Sequence, residues 1–319
     1  MRRRYLLHTA ATLALPPFPL RSAAAQARPR VIASFSILGD MVTQIGGDRV
    51  EVHTIAGPNV DAHSFQPRPS DAERLRGAAL VVRNGLGFEG WLDRMLRAGN
   101  WRGPVATATD GIAPRSMPAH NHGHAHGGAE RRQQHAVGPR TVPDPHAWQD
   151  LRHGIAYART IAAALAGVDP AHADAHRAAA EAYAGRLAQL DAWVRAQVAA
   201  VPEARRKVVT SHDAFGYFGA AYGISFVAPQ GISTEAEPSA ADVARLIRQI
   251  RAEGISAVFL ENMGSPATLQ RLAREAGVTV RGRLYADALS PPDGPAPSYE
   301  AMFRHNLGLL VPAMRGDAS

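Results

Sequence analysis

From Arg30 onward, short β-branched runs alternate with stretches whose apolar positions recur at helical spacing, the pattern of an α/β chain with parallel sheets. The pattern predicts strands over 31–35, 50–55, 79–83 and 105–107, with helices over 37–45, from Pro69 onward and over 88–97. A long helical stretch follows, first over 148–166. A second segment has Asp169 as its cap and Pro170 at its first helical position, and runs to Ala200, where Pro202 stops it. At about 1.5 Å per residue the second segment spans about 45 Å, longer than a small domain is wide, and it reads as a rigid strut. The alternation then restarts, with strands over 208–210, 224–227, 257–260 and 278–281 and helices over 214–222, 239–252, 266–276 and 298–311. The expected organisation is an α/β lobe over 28–168, a connecting helix over 169–201 and a second α/β lobe over 202–319.

Residues 1–27 stand outside this pattern. Arg2, Arg3 and Arg4 precede a mostly apolar run to Leu20, and Ser22-Ala23-Ala24-Ala25-Gln26-Ala27 supplies the small residues of a cleavage site, so a cleaved export signal is expected. The apolar run is broken by Pro16, Pro17 and Pro19 and is too short to span a bilayer. The chain has no cysteine, which excludes disulfides and thiolate metal sites. The missing lipid-bearing cysteine adds the expectation of a periplasmic protein that is not a lipoprotein. Removing Arg2, Arg3, Arg4 and Arg21 with the signal takes the formal charge from +7 to about +3. No basic run is interleaved with aromatics, which argues against nucleic acid. Residues 116–143 differ in kind. They carry His120, His122, His124, His126 and His135 among Gly, Gln, Arg and Pro, a composition that cannot bury a core and is expected to form a mobile loop.

The chemically interesting residues follow strands, where open α/β sheets place ligand sites. His63 lies after the second strand, His146 at the entrance to the long helical stretch, His212 directly after the first strand of the second lobe and Asp287 after the last strand. Singly, each histidine is more often structural; their joint placement at strand and helix ends raises their interest as a group. Several stretches carry the strongest signal. They are Ala56-Gly57-Pro58 with His63-Ser64-Phe65-Gln66-Pro67-Arg68-Pro69-Ser70-Asp71, Asp144-Pro145-His146-Ala147-Trp148, Ser211-His212-Asp213-Ala214-Phe215-Gly216, Gly231-Ile232-Ser233-Thr234-Glu235-Ala236-Glu237-Pro238 and Leu284-Tyr285-Ala286-Asp287. In these, and in their order, the chain resembles the metal-binding proteins of bacterial ABC importers of the zinc and manganese class, the ZnuA, TroA and AztC type.

That resemblance implies two Rossmann-like lobes with parallel sheets joined by one long rigid helix, and a single metal in the cleft between them. The implied ligands are His63, His146, His212 and Asp287. The implied partners are a membrane permease and its cytoplasmic ATPase, with a periplasmic metallochaperone as a further candidate, and the chain itself is expected to be a monomer. Three neutral imidazoles and one carboxylate suit tetrahedral Zn²⁺, at Zn–N distances of about 2.0–2.1 Å. Manganese prefers more oxygen ligands and six-coordination. Manganese importers of this type usually carry Glu where His212 stands, a departure that favours zinc. Manganese or iron delivery is the alternative. An exported zinc hydrolase is the rival of another class, and it would need an open coordination position and a nearby general base. The resemblance also reads His120, His122, His124, His126 and His135 as a weak metal-gathering tract.

Other features weigh less. Glu261 follows a strand and is a candidate for orienting a histidine ligand, while Glu235 and Glu237 are candidate permease contacts. His172 and His176, four residues apart, lack the Glu of a zincin motif and read as solvated helix surface. Gly85-Leu86-Gly87-Phe88-Glu89-Gly90 has the spacing of a dinucleotide loop, but it follows the third strand and sets Glu89 against any pyrophosphate. No catalytic residues are expected.

Overall fold

The computed structural model describes residues 27–118, 141–231, 234, 238–263 and 265–317. The expected export signal lies outside them apart from Ala27, as do His120, His122, His124, His126, His135, Glu235 and Glu237. Two four-stranded parallel sheets organise the chain. In the first lobe the elements run β1 (Arg30–Phe35), α1 (Ser36–Gly46), β2 (Glu51–Ala56), α2 (Pro69–Leu75), β3 (Leu80–Arg83), α3 (Gly90–Ala98) and β4 (Val105–Thr107), with sheet order β2-β1-β3-β4. A short antiparallel pair follows, β5 (Ser116–Pro118) with β6 (Thr141–Pro143). The two ends of the segment expected as a loop are therefore tied together as a ribbon.

Helices α4 (Leu151–Val168) and α5 (Ala173–Ala199) come next. The second lobe comprises β7 (Lys207–Val209), α6 (Gly216–Tyr222), β8 (Ser225–Val227), α7 (Ala240–Glu253), β9 (Ala257–Glu261), α8 (Ala267–Ala276), β10 (Val280–Leu284) and α9 (Tyr299–Arg315), with sheet order β10-β9-β7-β8. Counted within its own lobe, each sheet has the same order, with the first strand flanked by the second and third. The lobes thus share one topology that no sequence period announced. Each has its switch point, where crossovers leave in opposite directions, at the carboxyl end of its first strand.

Central β1 is buried from Val31 to Phe35, so it reads as a continuous apolar run, as expected of a parallel strand covered on both faces. One continuous core joins the two lobes. It runs from β1, α1 and β3 through Trp148, Tyr157, Tyr183 and Leu187 to Phe215, Phe218, Phe259 and Phe303. A second cluster, including Val243, Leu246, Ile250 and Leu272, packs α7 and α8 on the other face of the second sheet. A large apolar interface of this kind opposes wide opening of the lobes.

The expected long helix is present as α5 (Ala173–Ala199), with a break in the helical stretch before it. Residues Ala147–Gln149 form a 3-10 turn, and Asp150 starts α4 afresh by accepting the Arg152 amide at 2.9 Å. Helix α5 has 27 residues, about 40 Å of rise at about 1.5 Å per residue, but it is not free-standing: it packs along α4, α1 and α9. Asp169 does not cap with its side chain. Its carboxylate accepts from His172 Nδ1 at 2.9 Å and pairs with His176 Nε2 at 2.9 Å. His176 is fully buried, so only His172 fits the expectation of solvated surface. No described helix is long and apolar enough to cross a membrane.

Candidate metal centre

His63, His146, His212 and Asp287 converge, with one donor atom from each within 4.8 Å of all the others. The Oδ2 atom of Asp287 lies 3.0 Å from His212 Nε2, 3.2 Å from His63 Nε2 and 3.6 Å from His146 Nε2, while the last two nitrogens are 3.1 Å apart. Among the described residues this is the one cluster of three or more such side chains arranged to share an ion.

Local structure explains each position. His63 sits in the loop after β2. There Asp61 Oδ1 accepts its backbone amide at 2.8 Å, and Trp91 Nε1 donates to the Ala62 carbonyl at 2.7 Å. The edge of the Phe88 ring meets the His63 ring at a centroid distance of 4.5 Å. His146 stands at the entrance to the 3-10 turn, and Asp144 Oδ1 accepts both its backbone amide at 3.0 Å and its Nδ1–H at 2.8 Å. His212 lies just beyond β7, where Glu261 at the end of β9 takes the Ser211 and His212 amides on Oε1 at 2.8 and 3.0 Å and meets His212 Nδ1 with Oε2. Asp287 follows β10. The preceding carbonyl of Ala286 is fixed by Trp148 Nε1 at 2.9 Å and Gln149 Nε2 at 2.8 Å, which ties the second lobe's residue to the first lobe's turn.

Carboxylates can only accept, so Asp144 and Glu261 hold protons on the Nδ1 atoms of His146 and His212. The Nε2 atoms are thereby aimed into the centre, where they offer lone pairs once their protons leave. Glu261 thus contacts a cluster histidine. Asp144 is the functional neighbour that sequence reasoning passed over; its signal was a carboxylate two residues before a histidine, close enough to bond both its amide and its ring. His53, His153 and His305 are not members of the cluster.

Burial makes the electrostatics strong. Asp287 and His146 are fully buried and His212 is 1% exposed. Burial alone would push His146 down, but the charge of Asp287 and the Asp144 hydrogen bond outweigh it and lift the imidazole to about 9. His212 is likewise raised well above the usual range, the charges of Glu261 and Asp287 overcoming burial. For His63 burial prevails over the pull of Asp287 and lowers its pKa. Asp287, although burial works to raise it, is held well below the carboxylate range by His146 and His212. Without metal, near neutrality, the cluster therefore carries protons on His146 and His212.

The Gly-x-Gly-x-x-Gly turn is not a nucleotide loop. The Glu89 carboxylate fills it, accepting from Ser34 Oγ at 2.7 Å and from the Asn84 and Gly85 amides at 2.5 and 3.1 Å. The helix expected from residue 88 accordingly begins only at Gly90.

Two α/β lobes of one topology, closed over a buried cluster of three histidines and an aspartate, define a bilobal solute-binding protein with a metal-type site. Over residues 31–313 the chain matches the family ZnuA, zinc-uptake complex component A periplasmic, and it belongs to that family. The family supplies the metal-binding component of ABC importers, which implies a permease and an ATPase as partners, and its members are not enzymes. The manganese-binding lipoprotein MntA of Bacillus subtilis is 32% identical over 292 residues, covering 90% of this chain and 90% of MntA. The iron-binding protein YfeA of Yersinia pestis is 31% identical over 283 residues, covering 88% of this chain and 85% of YfeA. Among solved structures, the periplasmic zinc binding protein TroA from Treponema pallidum matches with a TM-score of 0.79 at 27% identity, covering 90% of this chain and 99% of TroA.

These relatives correct one expectation. The chain was expected to be a periplasmic protein that is not a lipoprotein, yet MntA, similar over nine-tenths of both chains, is named a lipoprotein. The expectation rested on an absence, that of a cysteine, and it is withdrawn.

Proposed function

We propose that this chain captures Zn²⁺ between its lobes through His63, His146, His212 and Asp287 and hands it to the permease of an ABC importer. The observation that carries the reading is the convergence of three imidazole nitrogens and a carboxylate oxygen, with contacts from 3.0 to 3.6 Å. A tetrahedron with vertices about 2.0–2.1 Å from its centre has edges of about 3.3–3.4 Å; four of the six donor pairs lie close to that, and all six lie within 4.8 Å. Four protein donors fill that tetrahedron and leave no position for an activated water, which weighs against a hydrolase. In this reading the lobes are residues 28–168 and 202–319, joined through 169–201. The chain acts as a monomer, and a periplasmic metallochaperone is a candidate zinc donor.

Manganese or iron as cargo is the second reading. It is favoured by the names of MntA and YfeA and by Asp287 Oδ1, which is buried without a hydrogen-bond partner and could give a second oxygen ligand. Affinity alone separates these readings poorly, because most nitrogen–oxygen sites bind Zn²⁺ more tightly than Mn²⁺. Geometry separates them better. The Co²⁺-loaded protein is expected to show the intense visible bands of four-coordinate cobalt; the weak bands of six-coordinate cobalt would support the second reading and overturn the first.

Asp144 and Glu261 are proposed to set the tautomers of two ligands. Asp144→Asn and Glu261→Gln are each expected to lower zinc affinity by about 10–100-fold, read by competition against a chelator of known affinity. Unchanged affinity in both would remove that role.

A further inference from the structure

The buried cluster faces open space on two sides, and the sides are not equivalent. On the second-lobe side is a cavity of about 200 Å³ bounded by Asp61, Ser64, His212, Glu261, Thr268 and Leu269 among others. Glu261 clamps His212 there through its backbone amide and its Nδ1, and also holds the Ser211 amide. On the first-lobe side is a larger cavity of about 650 Å³, lined in part by His63, Gly87, Phe88, Gly90, Trp91 and Arg94.

His63 is also the loosest member of the cluster. Its side chain is 6% exposed, against 0% for His146, 2% for His212 and 0% for Asp287. Asp144 clamps the far nitrogen of His146, and Glu261 clamps that of His212. The His63 ring makes its polar contacts through Nε2 alone, to His146 and Asp287. The glycine-rich turn supplies the room beside it. A Cβ at Gly87 would meet nothing within 4 Å, and one at Gly90 would meet only Arg94 Nη1, at 4.0 Å. Leu86 and Gly87 both take positive φ, 54° and 81°. For Leu86 that is a strained conformation, and it persists where the turn curls round Glu89.

We propose that metal exchanges through the first-lobe cavity, with His63 the first ligand to leave and the last to close, and with Gly87 and Gly90 keeping the passage clear. The inference rests on the ligand assignment above. It gives the glycine motif a use unrelated to phosphate: the missing side chains are the opening.

Plugging the two cavities separately tests it in the full chain. Gly90→Phe and, independently, Arg94→Trp block the first-lobe side; Thr268→Trp blocks the other. A blocked passage raises the barrier for both directions without changing either end state. Stopped-flow zinc uptake and chelator-driven release are therefore expected to slow together by roughly tenfold in the first two variants, with Kd within about threefold of the parent and the melting temperature retained. Thr268→Trp should exchange at the parental rate. Slowing in Thr268→Trp, or parental rates in both first-lobe variants while zinc is still held tightly, overturns the passage alone. A parent chain that holds no zinc tightly would instead count against the ligand assignment.

Discussion

Replacing Asp287 with Ala is expected to weaken zinc binding by roughly 100–1,000-fold, the share of one ligand in four if the site is worth about 10–16 kcal/mol. Asp287 is the one anion among the four proposed ligands, and its Oδ2 touches all three imidazoles. Its loss acts in two opposed ways. The metal loses a charged donor in a dry setting, where that charge is least screened. At the same time His146 and His212 lose the partner that helps keep them protonated, so fewer protons compete with the metal. The first effect outweighs the second, because Glu261 and Asp144 still hold their imidazoles after the change. Asp287→Asn, which keeps a neutral oxygen in place, should fall between the parent and Ala. Chelator competition measures both, with far-ultraviolet circular dichroism as the check on folding. A loss of less than about tenfold in the Ala variant would sink the assignment of Asp287 as a ligand.

Much of this site was legible because its members sit where the strand pattern ends. His63 follows β2, His212 follows β7 and Asp287 follows β10, and parallel strands bring their carboxyl ends to one edge whatever the loops between them do. Glu261 was legible for the same reason, as the last residue of β9. Asp144 was not, since its role depends on a turn that lets one carboxylate reach both the amide and the ring of His146. Helix limits were read less well where a side chain had a better partner than the backbone. Asp169 turned to His172 and His176, and Glu89 filled its own glycine turn, delaying α3 to Gly90. Hydrophobic periodicity reports that a stretch is helical but carries no record of such competition at its ends. The common topology of the lobes was hidden because topology constrains where apolar runs fall, not which residues compose them.

Zinc affinity is expected to fall about a hundredfold for each unit that pH drops near neutrality, because two protons must leave for each ion that enters. In the metal-free chain His146 titrates at about 9 and His212 well above its ordinary range, so both carry a proton at pH 7. Burial lowers His63, which contributes none. Those protons sit on the Nε2 atoms that face the centre, since the Nδ1 protons are already given to Asp144 and Glu261. A divalent ion therefore replaces two unit charges with two, and the net charge of the buried cluster is conserved. This matters because an uncompensated charge in so dry a place is expensive. The sign follows directly: lowering pH refills the proton sites and expels the metal, raising pH empties them and tightens it. Above about pH 9 His146 is already deprotonated and the slope should decline toward one proton per ion. Chelator competition across about pH 6 to 8, corrected for the chelator's own protonation, gives the slope. Calorimetry in buffers of different ionisation enthalpy counts the released protons independently. An affinity flat across that window would mean that His146 and His212 are neutral before the metal arrives, and that the carboxylates around them do not hold protons in the metal's place.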